Sequence, residues 1–387
     1  NSVNKIAVVG PNADNAKMLL GNYNGTPSSS VTILQGIKNA YPNAEVTFER
    51  GCDLVEGFVS LTNIERMIVQ MLENGEDHTD PAPADYEGVS VEQRRQMQAQ
   101  RERMMAQIKN IDINSIPRPI PAENYTDEAL AALAARAAES EVIFFVGGIS
   151  PEIEGEEMRV QLDGFAGGDR TKIELPEIQG RVMKYLHATG KPVVFILCTG
   201  SAMGLEQNEG DYDALIWAGY AGQEGGTAVA DIISGKVSPS GRLPITFYKS
   251  SAQLPDFLDY NMENRTYRYM KEQPLYRFGF GLSYAQFKYG KGKLSSKTVS
   301  AGETVKVKVK LRNKSKVDSD EVVQVYVKRT GDAGAPVKEL KGFERIALEP
   351  GETRDVTLTI PVAKLRHWDE ATHGWQLEQG VAEVMVG

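Results

Sequence analysis

Cysteine is almost missing from this 387-residue chain: only Cys52 and Cys198 occur, and they form no CxxC pair. That excludes a disulfide framework and a cysteine-built zinc site, and both thiols read as buried. Histidine is scarce too, and His78, His187, His367 and His373 are scattered without ligand spacing. With neither HExxH nor an EF-hand loop present, no protein-built metal site and no cofactor are expected. No apolar run reaches the roughly 18 residues of a membrane-spanning helix. Positive charge is in deficit, 43 basic against 52 acidic residues for a net charge of −9. That balance argues against nucleic acid or an anionic membrane as partner and favours a neutral or cationic ligand. A phosphate loop is also lacking, since Gly10-Pro11-Asn12 is not GxGxxG, so a nucleotide-binding reading is disfavoured. The chain enters an apolar strand within its first few residues. It reads as cut there, so the lack of a leader says nothing of compartment.

What is present is length and rhythm. A single core stops growing near about 250–300 residues, so two or three domains are expected. Over residues 1–290, short apolar strands alternate with helical stretches, the pattern of a mostly parallel sheet covered on both faces. The expected strands are Ile6–Val9, Val46–Glu49, Val142–Val146, Val193–Leu197 and Ala214–Trp217. The expected helices are Val31–Tyr41, Glu128–Ala138 with Thr126 or Asp127 as its cap, Glu177–Ala188 and Gly225–Ile233. The rhythm stops in an insertion over about 53–123, where Val91–Lys109 reads as a helix followed by Pro117, Pro119 and Pro121. Met97, Met104 and Met105 recur near helical spacing there and are expected to pack on a neighbouring surface, with a lid or partner contact as the alternative. From residue 291 to 387 the period changes to two, in Thr304–Leu311, Val322–Val327, Asp355–Ile360 and Ala382–Val386. This describes a β-sandwich, whose Tyr326, Phe343, Trp368 and Trp375 serve either as core or as a carbohydrate platform.

The chemistry points to one loop. The strand Val142–Val146 empties into Glu152-Ile-Glu-Gly-Glu-Glu157, followed by Gly168-Asp-Arg170 and Glu174-Leu-Pro-Glu177. Ligands of open α/β sheets sit beyond the carboxyl ends of the strands, so glutamates clustered there are placed for acid–base work. The competing reading is a solvated acidic loop. Asp169 and Arg170 read as an ion pair bracing the loop. Glu224 reads as a helix-start or interdomain contact, Arg242 as a bracing partner and Tyr276–Tyr284 as packing between domains, with a sugar-facing aromatic as the alternative.

Several collinear segments carry a resemblance: Ile6-Ala-Val-Val-Gly-Pro-Asn-Ala-Asp14, Gly21-Asn-Tyr-Asn-Gly-Thr-Pro27, Trp217-Ala-Gly-Tyr-Ala-Gly-Gln-Glu-Gly-Gly226, Ser238-Pro-Ser-Gly-Arg-Leu-Pro244, Tyr276-Arg-Phe-Gly-Phe-Gly-Leu-Ser-Tyr284 and Leu340-Lys-Gly-Phe343. In order and spacing, nearly the whole chain apart from the insertion resembles the later part of glycoside hydrolase family 3, more its β-xylosidase-like branch than the fungal β-glucosidases. The resemblance implies an (α/β)6 sandwich followed by a fibronectin type III-like domain, without the family's (β/α)8 barrel and its aspartate nucleophile. It implies the C-terminal portion of a retaining, exo-acting β-glycosidase that removes terminal β-xylosyl or β-glucosyl residues, inactive without the barrel. The partners implied are a glycoside or oligosaccharide substrate and that barrel, and the compartment implied is periplasmic or extracellular. A non-catalytic carbohydrate-binding or assembly module is the alternative. Laid on the family's Ile-Glu-Ala-Glu-Gly form, Ile153-Glu-Gly-Glu-Glu157 gives Glu156 the general acid/base role, with Glu154 second. The chain departs from that form in placing Glu157 where a glycine is usual and in reaching Asp169-Arg170 a dozen residues later.

Overall fold

The computed structural model describes residues 3–58, 68–69, 90–108, 116, 118–156, 158, 160–330 and 334–387. Among the segments singled out above, His78, Lys109, Pro117, Glu157 and much of the insertion over about 53–123 lie outside them, as do the side chains of Met104 and Met105.

In chain order the first part runs β1 (Lys5–Val9), α1 (Ile33–Ala40), β2 (Glu45–Glu49), α2 (Val91–Ile108), α3 (Asp127–Ala137) and β3 (Val142–Gly148). Three short strands follow, β4 (Gln161–Leu162), β5 (Phe165–Ala166) and β6 (Asp169–Arg170), then α4 (Glu177–His187), β7 (Val193–Cys198), β8 (Ala214–Trp217) and α5 (Gly225–Ile233). Five strands form one parallel sheet in the order β2-β1-β3-β7-β8. Alternate side chains leave opposite faces of each strand, and in the central β1, β3 and β7 both faces are covered, which is why these three read as continuous apolar runs, whereas the edge strand β2, Glu-Val-Thr-Phe-Glu, is largely open to solvent. Ile6, Val8, Phe144 and Val146 pack against α1 and Val229 of α5. Their neighbours Ala7, Val9, Ile143 and Phe145 pack on the other face against Leu130, Leu133, Ile178 and Val182 of α3 and α4.

Helix ends follow local chemistry. Thr126, not Asp127, caps α3: its side chain accepts from the backbone N–H of Ala129 at 3.3 Å. Asp127 and Glu128 in the first turn and Arg136 in the last complement the helix dipole. On the opposite face α1 and α5 touch backbone to backbone, because a Cβ on Gly36 would lie 2.1 Å from the Gly226 carbonyl oxygen. Helix α2 forms as expected, but its described side chains all face solvent, Met97 included. The packing role read for Met97 therefore does not hold; the described side chains around it are mostly glutamine, arginine and glutamate, and all of them are exposed.

The later part is all β: β9 (Phe287–Tyr289), β10 (Lys293–Leu294), β11 (Thr304–Asn313), β12 (Ser319–Thr330), β13 (Glu339–Leu348), β14 (Thr353–Pro361), β15 (His367–Asp369), β16 (Gly374–Gln376) and β17 (Val381–Val386). One sheet joins β10, β11 and β14, with β9 also on β11; the facing sheet is β13-β12-β17. Val305, Val307, Val309 and Leu311 of β11 point into an aliphatic core with Val323, Val325, Leu358 and Ile360, while the intervening lysines stay outside. The fold is thus a mostly parallel α/β sandwich followed by an all-β sandwich.

The two parts meet through polar and aromatic contacts. Arg242 Nη2 lies 2.7 Å from Glu321 Oε2, and Tyr289 donates to the other carboxylate oxygen at 3.0 Å. Gln324 Nε2 donates to the Gly279 carbonyl at 2.9 Å, and Phe278 stacks on Tyr267 while meeting Tyr326 edge-on. Arg242 has the bracing role read for it; of Tyr276–Tyr284, Phe278 and Gly279 make the contacts between the parts, while Tyr276 packs on Phe247 within the α/β part and Leu282 and Tyr284 are exposed.

Candidate active site

At the carboxyl ends of β1 and β3 the neighbouring strands lead off in opposite directions, the switch point where open α/β sheets place their ligands. Asn12 ties these ends together. Fully buried, it donates its Nδ2 to the carbonyls of Gly147 at 3.3 Å and Ile149 at 3.2 Å. The acidic loop leaves from here, pinned beneath by the buried side chains of Ile149 and Ile153.

Residues 161–170 are not slack. They fold as the small antiparallel sheet β4-β5-β6, which turns the chain back under the loop. Gly168, at φ +92°, accepts from the Gly155 N–H at 3.2 Å, and a Cβ on it would sit 2.0 Å from the Gly155 carbonyl oxygen. Only glycine combines that backbone angle with that approach.

Each described glutamate of the loop has its own surroundings. Glu152 pairs with Lys17 at 3.6 Å. Glu154 turns inward: Ser201 Oγ donates to its Oε2 at 3.1 Å, and Asn22 Nδ2 donates to its backbone carbonyl at 2.8 Å. Burial pushes the Glu154 carboxyl up, and the facing Arg170 charge and the Ser201 hydrogen bond only partly oppose it. Glu156 is exposed on the outer side of the loop and accepts a hydrogen bond from the Tyr23 hydroxyl. That bond, followed by slight desolvation and the carboxylate's charge, pushes the Tyr23 phenol up.

Arg170 braces the loop, but not through Asp169. Its Nη1 donates to Ser201 Oγ at 3.0 Å and to the Ala202 carbonyl at 2.8 Å, and its Nη2 reaches Met203 Sδ at 3.5 Å. Asp169 stays exposed on its short strand, so the expected Asp169–Arg170 pair is replaced by an Arg170–Ser201–Glu154 chain. Adjacent residues on a strand point to opposite faces, which separates the two. Glu224 directly precedes α5 and accepts from Thr227 Oγ1 at 2.8 Å, a helix-start contact.

Sequence reading brought Glu154, Glu156 and Arg170 to this site and missed Asn22, Tyr23 and Ser201. Asn22 and Tyr23 lie in Gly21–Pro27, a segment marked above only for its resemblance; Ser201 has no local signal, being delivered by the end of β7. Among the described residues no three His, Cys, Asp or Glu side chains are grouped to hold a metal ion. What the arrangement offers is an outward carboxylate under a phenol, held on a loop whose base is cross-braced.

Comparison with known proteins places this geometry in context. The family described as the glycosyl hydrolase family 3 C-terminal domain matches residues 1–284, and the fibronectin type III-like domain matches residues 321–387. A xylan 1,4-beta-xylosidase of Xylanibacter ruminicola is 32% identical over 99% of this chain and 53% of its own length. A periplasmic beta-glucosidase of Salmonella typhimurium is 31% identical over 99% of this chain and 44% of its own. The solved β-glucosidase of Erythrobacter marinus superposes with a TM-score of 0.72 at 27% identity, over 100% of this chain and 45% of that one. A Listeria innocua beta-glucosidase, at 24% identity and TM-score 0.69, shares the fold over 44% of its length. The chain therefore spans about half the length of the relatives it matches.

Proposed function

The chain belongs to glycosyl hydrolase family 3, and from that premise we propose that it supplies the general acid/base of a retaining, exo-acting β-glycosidase acting on terminal β-xylosyl or β-glucosyl residues. Retention needs two carboxylates about 5–5.5 Å apart, one to attack the anomeric carbon and one to protonate the leaving oxygen and then activate water. In this reading Glu156 is the second, and an aspartate of a (β/α)8 barrel outside this chain is the first. The carrying observation is that Glu156 presents its carboxylate outward from the switch-point loop while Glu154 spends its own on Ser201 beneath it. Tyr23 would orient the Glu156 oxygens toward the leaving group. The relatives' names, xylosidase and glucosidase, support the sugar class, and the Salmonella relative's description supports a periplasmic or extracellular setting.

The test joins this chain to its barrel. Glu156→Ala should lower kcat/KM on glycosides with poor leaving groups by about 10²- to 10⁴-fold, spare activated aryl glycosides more, and respond to azide in the second step. Equal loss on every substrate without azide rescue refutes the assignment; the same signature in Glu154→Gln instead moves the role to Glu154. The isolated chain should hydrolyse neither aryl β-xyloside nor aryl β-glucoside.

A further inference from the structure

The β-sandwich carries two tryptophans its core does not use. Its interior is valine, leucine and isoleucine throughout. Trp368 and Trp375 stand opposite each other across the β15–β16 hairpin, with ring centroids 5.9 Å apart and planes at 77°. They are 46% and 64% exposed. Aromatic side chains carry the largest apolar area a residue can bury, and a pair left open on a short hairpin marks a surface made for a ligand.

Both indoles line a cleft of about 1470 Å³ that Arg268, Arg329, Glu339 and Lys341 also line. These charges largely offset one another. Glu339 lies 2.5 Å from Arg268 and 3.0 Å from Lys341, Arg329 lies 4.0 Å from Glu378, and the lining as a whole sets five arginine and lysine side chains against four carboxylates. A cleft so nearly balanced exerts little pull on a bare anion or cation, yet its donors and acceptors stand fixed for a neutral ligand rich in hydroxyls. The volume exceeds the roughly 300–1,000 Å³ typical of small-molecule sites, so the cleft has room for more than one sugar ring.

We propose that the Trp368–Trp375 cleft is a non-catalytic binding site for a neutral β-linked oligosaccharide, in which indole faces pack against sugar C–H surfaces and the paired Arg, Lys and Glu side chains hydrogen-bond the hydroxyls. The choice of β-linked sugar rests on the function proposed above, but the site itself lies on different residues and needs no turnover. It holds a polymer near the enzyme while its terminal residue is removed elsewhere.

Tryptophan emission reads the site directly, since the chain has three tryptophans and Trp217, the third, packs on Phe247 in the α/β part. Xylohexaose and cellohexaose are each titrated into the 387-residue chain. Saturable quenching by at least one is expected, weakened tenfold or more in Trp375→Ala and in Trp368→Ala, largely kept in Trp375→Phe, and unchanged in Glu156→Gln. Thermal unfolding of each variant confirms that the hairpin change leaves the fold intact. If neither hexasaccharide quenches saturably, or if Trp375→Ala binds as the parent does, the proposal fails and the indoles belong to a protein surface. Quenching lost only in Glu156→Gln also overturns it, placing the sugar at the acidic loop, where the catalytic reading alone accounts for it.

Discussion

At the scale of single residues, the loop depends on the charge of Arg170, which faces Glu154 and not the adjacent Asp169. Arg170 gives up solvent to face Glu154, and burial holds its own pKa down while the Glu154 carboxylate opposes that shift. Replacing Arg170 with methionine removes the hydrogen bonds to Ser201 and Ala202 and leaves Glu154 without its opposite charge. We expect a loss of about 3 kcal/mol in urea unfolding. The pH dependence has a definite sign. Glu154's folded pKa is already raised, so its contribution to stability is fully present below the ordinary carboxylate value and lost as pH rises through the folded one. Without Arg170 that folded value climbs further. The deficit of Arg170→Met should therefore be larger at pH 8 than at pH 5; a deficit independent of pH would separate Arg170 from Glu154 energetically.

At the scale of elements, close approach matters more than propensity. Helices α1 and α5 meet through Gly36 and Gly226, and a methyl on Gly36 would overlap the Gly226 carbonyl. Gly36→Ala should cost about 1–3 kcal/mol by forcing the helices apart, whereas Gly25→Ala, with nothing within 4 Å of its Cβ, should stay within about 0.5 kcal/mol of the parent. Equal effects in chemical denaturation would show that the contact is not tight. The same contrast explains what could be read in advance. Strands β1, β3 and β7 announce themselves because both faces are buried, and β11, β12 and β14 because one is. Strand β13 did not, since Glu339-Leu-Lys-Gly-Phe-Glu-Arg-Ile-Ala-Leu348 breaks period two, and its register slips beside Val325 and Tyr326. The β4–β6 meander was equally silent, its strands being two residues each. So the acidic loop was legible as an outlet of β3, but its brace was not: Tyr23 and Ser201 lie 133 and 47 residues from the glutamates they touch, beyond the reach of any local pattern.

At the scale of the whole molecule, two separately built cores share one junction, and its strength rests on a buried charge pair. Arg242 and Glu321 are 12% and 9% exposed, and Tyr289 completes the carboxylate's coordination. A buried pair of this kind adds little over an apolar contact of equal shape, yet losing one member strands the other charge without solvent. Arg242→Ala should accordingly destabilise the junction by about 3–5 kcal/mol, and calorimetry should show one transition for the parent and two for the variant, as its sandwich and α/β part melt apart. Arg242→Met combined with Glu321→Leu should restore most of the loss, because no charge is then left unpaired. If the single variant melts as the parent does, the pair is ornamental and the coupling must lie with the aromatic contacts of Tyr267, Phe278 and Tyr326. If the double variant is as weak as the single one, the junction depends on the pair's geometry and not on charge balance.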